Sequence, residues 1–136
     1  MRSIAILLAG FAVATASVAL AGPETDFPHR DWGNVATLDM PAADAVSCIA
    51  REMDKSGSVL VLPTTGGTDI DYTLSGGLMN QNAGEPYMRF KVRADAAGVT
   101  LRAFYRRPLS QKATDKTIAG LQKRCLRVEK VLPVAP

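Results

Sequence analysis

The chain of 136 residues is poor in the residues that most enzyme sites use. It contains one histidine and two cysteines, and aromatic residues make up 6% of it. With His29 as the single histidine, there is no His or Cys cluster with the spacing of a zinc site, so we expect no metal. A Ser-His-Asp hydrolase would need that same His29, in a segment that we expect to be irregular.

Motifs for phosphate and thiol chemistry are also missing. The sequence has no G-x-S-x-G and no C-x-x-C, and its two Gly-Gly pairs lack the Lys-Ser/Thr of a phosphate-binding loop. Asp69 and Asp71 alternate along a predicted strand, so we expect them to face solvent or neighbouring arginines rather than act as a catalytic pair. We therefore predict no catalysis and no cofactor, with a small hydrolase as the last alternative.

The N-terminus has the form of a secretory signal peptide, residues 1–21. Arg2 precedes an apolar run from Ile4 to Leu20, and Ala19-Leu20-Ala21 fits an A-x-A cleavage site. We predict cleavage before Gly22 and a periplasmic or secreted protein with no later transmembrane segment. An uncleaved anchor is the alternative, because the run approaches the roughly 18 apolar residues of a membrane span. No cysteine follows the run, so no lipid attachment is expected.

The predicted mature chain, residues 22–136, is long enough for one domain and too short for two. Export implies an oxidising compartment, where an even number of cysteines favours disulfide bonds. We predict a bond between Cys48 and Cys125, and the alternatives are two free buried thiols or an intermolecular bridge. The loop that the bond closes is long, so chain entropy gives it on the order of 4–5 kcal/mol as an upper figure.

Hydrophobic periodicity and turn residues predict an α+β fold. Close spacing of the strands favours an antiparallel meander, so we expect a four-stranded antiparallel sheet with two helices packed on one face. Pro41 suits a first helical position and Ser110 an N-cap. The chain is predicted to begin with an irregular segment 22–34, which Phe27 and Trp32 attach to the body, and with residues 35–40 as a short strand or an extended lead-in. The elements that follow are a helix 41–57, strands 58–63, 69–74, 87–93 and 99–106 with a polar loop 75–86, a helix 110–128 and a frayed tail.

Charge is distributed unevenly along the chain. Residues 22–85 hold three Lys or Arg against ten Asp or Glu, whereas residues 86–136 hold twelve against three. If 94–99 turn the chain, Lys91 lies opposite Arg102 and Arg89 opposite Phe104 on the face away from the helices. Two like charges directly opposite each other, as Lys91 and Arg102 would be, are unfavourable. The strand 69–74, with Asp69 and Asp71 outward, would provide the acidic neighbour that relieves them.

Two interpretations of this sheet face follow. It is either a solvated ladder of compensating charges or an anion-binding face with Phe104 as an apolar contact. In an exported protein the partner would be a lipid headgroup, a lipopolysaccharide phosphate, an acidic glycan or an acidic protein patch, and export argues against nucleic acid. The candidate anion-binding residues are Arg89, Lys91, Arg93, Arg102 and Arg106.

The layout resembles that of small, largely uncharacterised exported proteins and lipoproteins of Proteobacteria. In these a helix carrying P-x-x-x-x-x-x-C-I precedes a β-meander, and a closing helix carries a second cysteine. Pro41, Cys48, Ile49 and Cys125 match that pattern within about residues 40–128. The resemblance implies an envelope location and an α+β fold, and no activity. The lipidated cysteine of those proteins is absent, so membrane tethering is not implied.

We therefore expect a non-catalytic exported envelope protein with a binding or structural role, acting through the basic sheet face. The alternative is an accessory subunit that docks on a partner protein through the loop 75–86 or the segment around Trp32.

Overall fold

The computed structural model describes residues 29–74, 86–106 and 109–134. The predicted signal peptide, residues 22–28 and nearly all of the loop 75–86 lie outside these ranges. Within them the elements are β1 (His29–Asp31), β2 (Asn34–Leu38), α1 (Ala42–Asp54), β3 (Gly57–Thr64), β4 (Gly67–Leu74), β5 (Met88–Asp95), β6 (Gly98–Arg106), α2 (Gln111–Arg124) and β7 (Val128–Pro133).

The described strands form one antiparallel sheet in the order β3-β4-β5-β6-β2-β7, and β1 also pairs with β6. The α+β class and the meander β3-β4-β5-β6 are confirmed. The prediction of four strands is wrong, because the described part of the sheet has seven. The three additional strands come from both ends of the chain and extend the sheet beyond β6.

The register of the meander follows the alternation of apolar and polar residues. Phe90 lies opposite Ala103, and Lys91 lies opposite Arg102, as predicted. Ile70 of β4 lies opposite Phe90, so one face of the sheet is continuously apolar. Phe90, Ile70 and Ala103 are completely buried there. A one-residue slip would turn this entire set of side chains to the other face, so burial fixes the register.

Helix α1 begins one residue after Pro41, which occupies the N-cap position rather than the first helical position. Ser110 is the N-cap of α2, as predicted, and its hydroxyl accepts a hydrogen bond from the Ala113 amide at 3.3 Å. Helix α2 ends at Arg124, four residues earlier than predicted. The buried apolar residues of both helices belong to the same core cluster as the apolar sheet face.

The predicted disulfide is present and joins Cys48 of α1 to Cys125, the C-cap residue that follows α2. The two Cα atoms lie 5.8 Å apart, within the usual range for disulfides. The bond therefore ties α1 to the end of α2 above the sheet.

The chain ends contribute structure where the sequence predicted little. Strand β1 lies within the segment 22–34 that was predicted to be irregular, and pairs with the end of β6. Trp32 follows β1 and is 3% exposed, and its indole Nε1 donates to Asp115 of α2 at 2.6 Å. The tail that was predicted to be frayed forms β7, which pairs with β2. Trp32 therefore attaches the segment to the body, as predicted.

No helix in the described ranges is both long enough and apolar enough to cross a bilayer.

Candidate functional site: the outer sheet face

The sheet face opposite the helices, called here the outer face, carries the charged residues of the central strands. Strand β4 supplies two aspartates, β5 three cations, and β6 two further cations and an aromatic ring, and Asp31 of β1 lies opposite that ring. Alternation along each strand places these side chains together. The residues that define the outer face are Asp31, Asp69, Asp71, Arg89, Lys91, Arg93, Arg102, Phe104 and Arg106.

Asp71 and Arg89 form a two-pronged ion pair across β4 and β5. The Arg89 Nε donates to Asp71 Oδ1 at 2.6 Å, and Nη2 donates to Oδ2 at 2.7 Å. They are directly opposite each other in the register, so the contact needs no change in the strands. The hydrogen bond to Asp71 raises the pKa of the Arg89 guanidinium, although partial burial opposes this rise. The planar fork of an arginine fixes its orientation on the carboxylate.

Asp69 and Arg93 form a second pair, displaced diagonally. Asp69 lies opposite Lys91 in the register, but its Oδ1 accepts a hydrogen bond from Arg93 Nη2 at 2.6 Å. Arg93 Nη1 also donates to the backbone carbonyl of Thr68 at 3.2 Å. The guanidinium thereby contacts both a side chain and the backbone of β4, which holds it in one position.

Arg102 and Phe104 form the centre of the face on β6. Arg102 donates from Nε and Nη2 to the carboxylate of Asp31. Its guanidinium carbon lies 5.6 Å from the centroid of the Phe104 ring, and Lys91 Nζ lies 4.9 Å from the same centroid. Cations at these distances are attracted to the ring quadrupole. The phenyl ring is therefore flanked by two cations.

The carboxylates of the two β4 aspartates lie beneath the arginines that pair with them. The side chains of Asp69 and Asp71 are each 11% exposed, whereas those of Arg89 and Arg93 are 23% and 32% exposed. Arg102 is 42% exposed and Asp31 32%. In each pair the cation is the more accessible partner. With Asp95 at the end of β5, which the alternation of that strand places on the same side, this face has five cations against four carboxylates. The cations of the three ion pairs are nevertheless the more exposed groups.

The structure brings the five predicted anion-binding residues onto one face, since Arg106 shares the alternation of β6 with Arg102. The aspartates of β4 contact the neighbouring arginines, one of the two arrangements expected for them. Sequence reasoning missed Asp31, which is 71 residues from Arg102. No local pattern indicated this contact, because it depends on β1 pairing with β6.

A second charged cluster lies between the helices and is structural. Glu52 of α1 is 8% exposed, and it accepts hydrogen bonds from Lys55 at 2.7 and 2.8 Å. The Nε of Arg124 in α2 lies 2.7 Å from Oε2 of Glu52, one of the two oxygens that Lys55 also contacts. The hydrogen bond from Lys55 lowers the pKa of Glu52, and Arg124 lowers it further, while burial opposes both. The cluster connects α1 to the end of α2 beside the disulfide.

Within the described residues, no group of three or more His, Cys, Asp or Glu side chains is placed to hold a metal ion. No protein-family description matches the sequence, and neither the curated proteins nor the solved structures contain a match.

Proposed function

We propose that this is a non-catalytic exported protein of the bacterial envelope whose outer face binds a phosphate-bearing component of the envelope surface. The observation that supports the proposal is the difference in exposure within the ion pairs. The carboxylates of Asp69 and Asp71 are covered, and the guanidinium groups above them are accessible. An approaching anion therefore meets positive charge, although the face contains both signs.

The ion pairs also prepare the face for binding. Arg89, Arg93 and Arg102 are each held by an aspartate, so little side-chain entropy is lost when an anion binds. Phe104 offers an apolar contact between two cations. A phosphate group with adjacent apolar atoms, as in a lipid headgroup region, would match this combination.

The disulfide is consistent with an exported protein, because such bonds persist in oxidising compartments. The apolar N-terminal run with its A-x-A site supports the same location.

The proposal is tested by binding to phospholipid vesicles with and without anionic lipid. We expect binding to anionic vesicles that weakens as salt rises, because the Debye length falls from about 10 Å at 0.1 M to about 3 Å at 1 M. The double variant Lys91→Gln/Arg102→Gln removes the two cations that flank Phe104. At about 1 kcal/mol per basic residue near an anionic surface, it should bind about 30-fold more weakly.

The matched control removes two cations from the other layer of the protein. Lys116 and Lys123 of α2 are both exposed, and the variant Lys116→Gln/Lys123→Gln has the same net charge as the test variant. It should bind nearly as well as the wild type. Equal loss in the two variants would show a general charge effect and would refute a site on the outer face.

A further inference from the structure

The two outermost strands in the described part of the sheet differ in chemistry. Strands β3 and β7 stand at opposite ends of the strand order, and each has one described neighbour. An outermost strand presents a row of backbone N–H and C=O groups that can pair with another chain. Proteins usually protect such strands with charged side chains, with proline or with a covering element.

Strand β3, Gly57–Thr64, has the sequence GSVLVLPT and contains no charged residue. Leu60 is 57% exposed and Val61 42%. Strand β7, by contrast, carries Glu129 and Lys130, both exposed. The single protective residue of β3 is Pro63, close to its end. The apolar edge of β3 is therefore the one that lacks charge protection.

Helix α1 presents two further apolar residues on its side away from α2. Helix α1 packs on β3, β4 and β5, and Cys48 faces the end of α2 through the disulfide. At 100° per residue, Val46 and Ala50 lie about 160° around the helix from Cys48, on the side away from α2. Both are partly buried.

We propose that β3 pairs antiparallel with β3 of a second copy of this chain, about a two-fold axis perpendicular to the sheet. Such an axis places one residue opposite its own copy, and centring it on Leu60 sets Val59 opposite Val61 and Ser58 opposite Leu62. Pro63, which has no N–H to donate, then falls opposite Gly57 at the end of the ladder.

Charge favours a second copy as the occupant. Residues near the two-fold axis of such a pair lie close to their own copies, so a charge there would be repelled by its copy, and β3 carries no charge. In the same symmetric arrangement β7 would bring its charged residues close to their copies. A symmetric contact also pairs the β3 edge of each copy with the other, so neither β3 edge is left for a third copy. The contact therefore yields a dimer rather than a fibre.

The first test is the oligomeric state measured by sedimentation over a range of protein concentrations. We expect a concentration-dependent dimer for the wild type and a monomer for Leu60→Lys, because a lysine on the edge opposes pairing. Leu60 lies opposite Asp71 in the register, so the lysine has an acidic neighbour in the folded monomer. The matched control is Val131→Lys on β7, where Val131 is 46% exposed, and it should remain a dimer.

The second test is cross-linking through an introduced cysteine. Residues opposite each other in an antiparallel pair have Cα atoms about 4.5–5.5 Å apart, which suits a disulfide. Leu60→Cys should therefore give a covalent dimer under oxidising conditions, and Val131→Cys should not. Equal cross-linking of the two variants would overturn the proposal.

A wild type that stays monomeric at every concentration would also overturn it. Slow hydrogen exchange of the β3 amides in that monomer would show that another segment of the same chain covers the edge.

Discussion

Loss of the disulfide is the perturbation whose effect can best be calculated. Cys48 and Cys125 are 77 residues apart in the sequence, and the loop between them contains the four meander strands. Reduction, or the double variant Cys48→Ala/Cys125→Ala, releases this loop in the unfolded chain. The main effect is expected in the unfolded state, whose conformational entropy rises when the constraint is removed.

The magnitude follows from the loop length. In the chain-entropy treatment, a loop of 77 residues gives about 15 cal/mol/K, which is about 4.5 kcal/mol at 25 °C. Net stabilities of domains are about 5–15 kcal/mol, so the bond supplies about a third or more of the total. The native separation of the Cα atoms, 5.8 Å, is one that a disulfide bridges without moving the backbone.

The assay is urea unfolding of the oxidised wild type, the reduced wild type and the double alanine variant. With a urea m-value of about 1–3 kcal/mol/M, a loss of about 4.5 kcal/mol lowers the midpoint by about 1.5–4.5 M. The reduced protein and the alanine variant should unfold at similar midpoints. Alkylation of the denatured, unreduced wild type should modify no thiol. An alanine variant that unfolds within a few tenths molar of the oxidised protein would refute the reasoning.

Two further predictions concern buried carboxylates. Asp71→Asn should destabilise the fold by about 1.5–3 kcal/mol, the usual range for a hydrogen bond to a charged group. It should nevertheless strengthen binding to anionic vesicles, because the Arg89 guanidinium loses its counter-ion. Exposed Asp44→Asn is the control, and weaker vesicle binding by Asp71→Asn would contradict the proposed site. Glu52 has a lowered pKa in the folded state, so its stabilising effect is present above its ordinary pKa of about 4.3 and is lost as the pH falls through the lowered value. Urea midpoints measured from pH 7 to pH 3 should therefore converge for wild type and Glu52→Gln at acidic pH, and a constant difference would argue against the assigned cause.

The central meander could be predicted from the sequence because its paired strands are neighbours along the chain. Strands β5 and β6 are joined by a short turn, and their alternation is strict, so the pairing of Lys91 with Arg102 followed directly. Burial of one face then left no second register. The same alternation placed Asp71 beside Arg89. These contacts join residues less than 20 positions apart, and the alternation of apolar and polar residues in each strand indicates which of its faces is buried.

The outer strands could not be predicted because their pairing is distant in sequence. Strand β7 pairs with β2, so that Lys130 lies opposite Thr37. Its sequence, VEKVLP, is short, lacks alternation and ends in proline, and its residues are mostly exposed. Helix α2 stops at Arg124 because the next residues leave the helical path: the Cys125 and Leu126 amides both donate to the Leu121 carbonyl. The periodicity of that segment gave no sign of this end.

The proposed dimer and the proposed anion site together predict that an added positive charge can weaken binding to anionic vesicles, whereas charge alone would strengthen it. A two-fold axis perpendicular to the sheet keeps both outer faces on the same side of the dimer. Both basic faces of one dimer therefore bind the same membrane surface at once. Two linked sites gain affinity without a new contact, by a factor on the order of 10² or more. Leu60→Lys adds a positive charge to the outer face but breaks the pairing, so it should bind anionic vesicles more weakly than the wild type. Leu132 of β7 is 42% exposed and lies opposite Val35 on the outer face. Leu132→Lys therefore adds the same charge to that face and keeps the dimer, so it should bind at least as tightly as the wild type. Tighter binding by Leu60→Lys would show that charge acts alone and that the two faces do not work together.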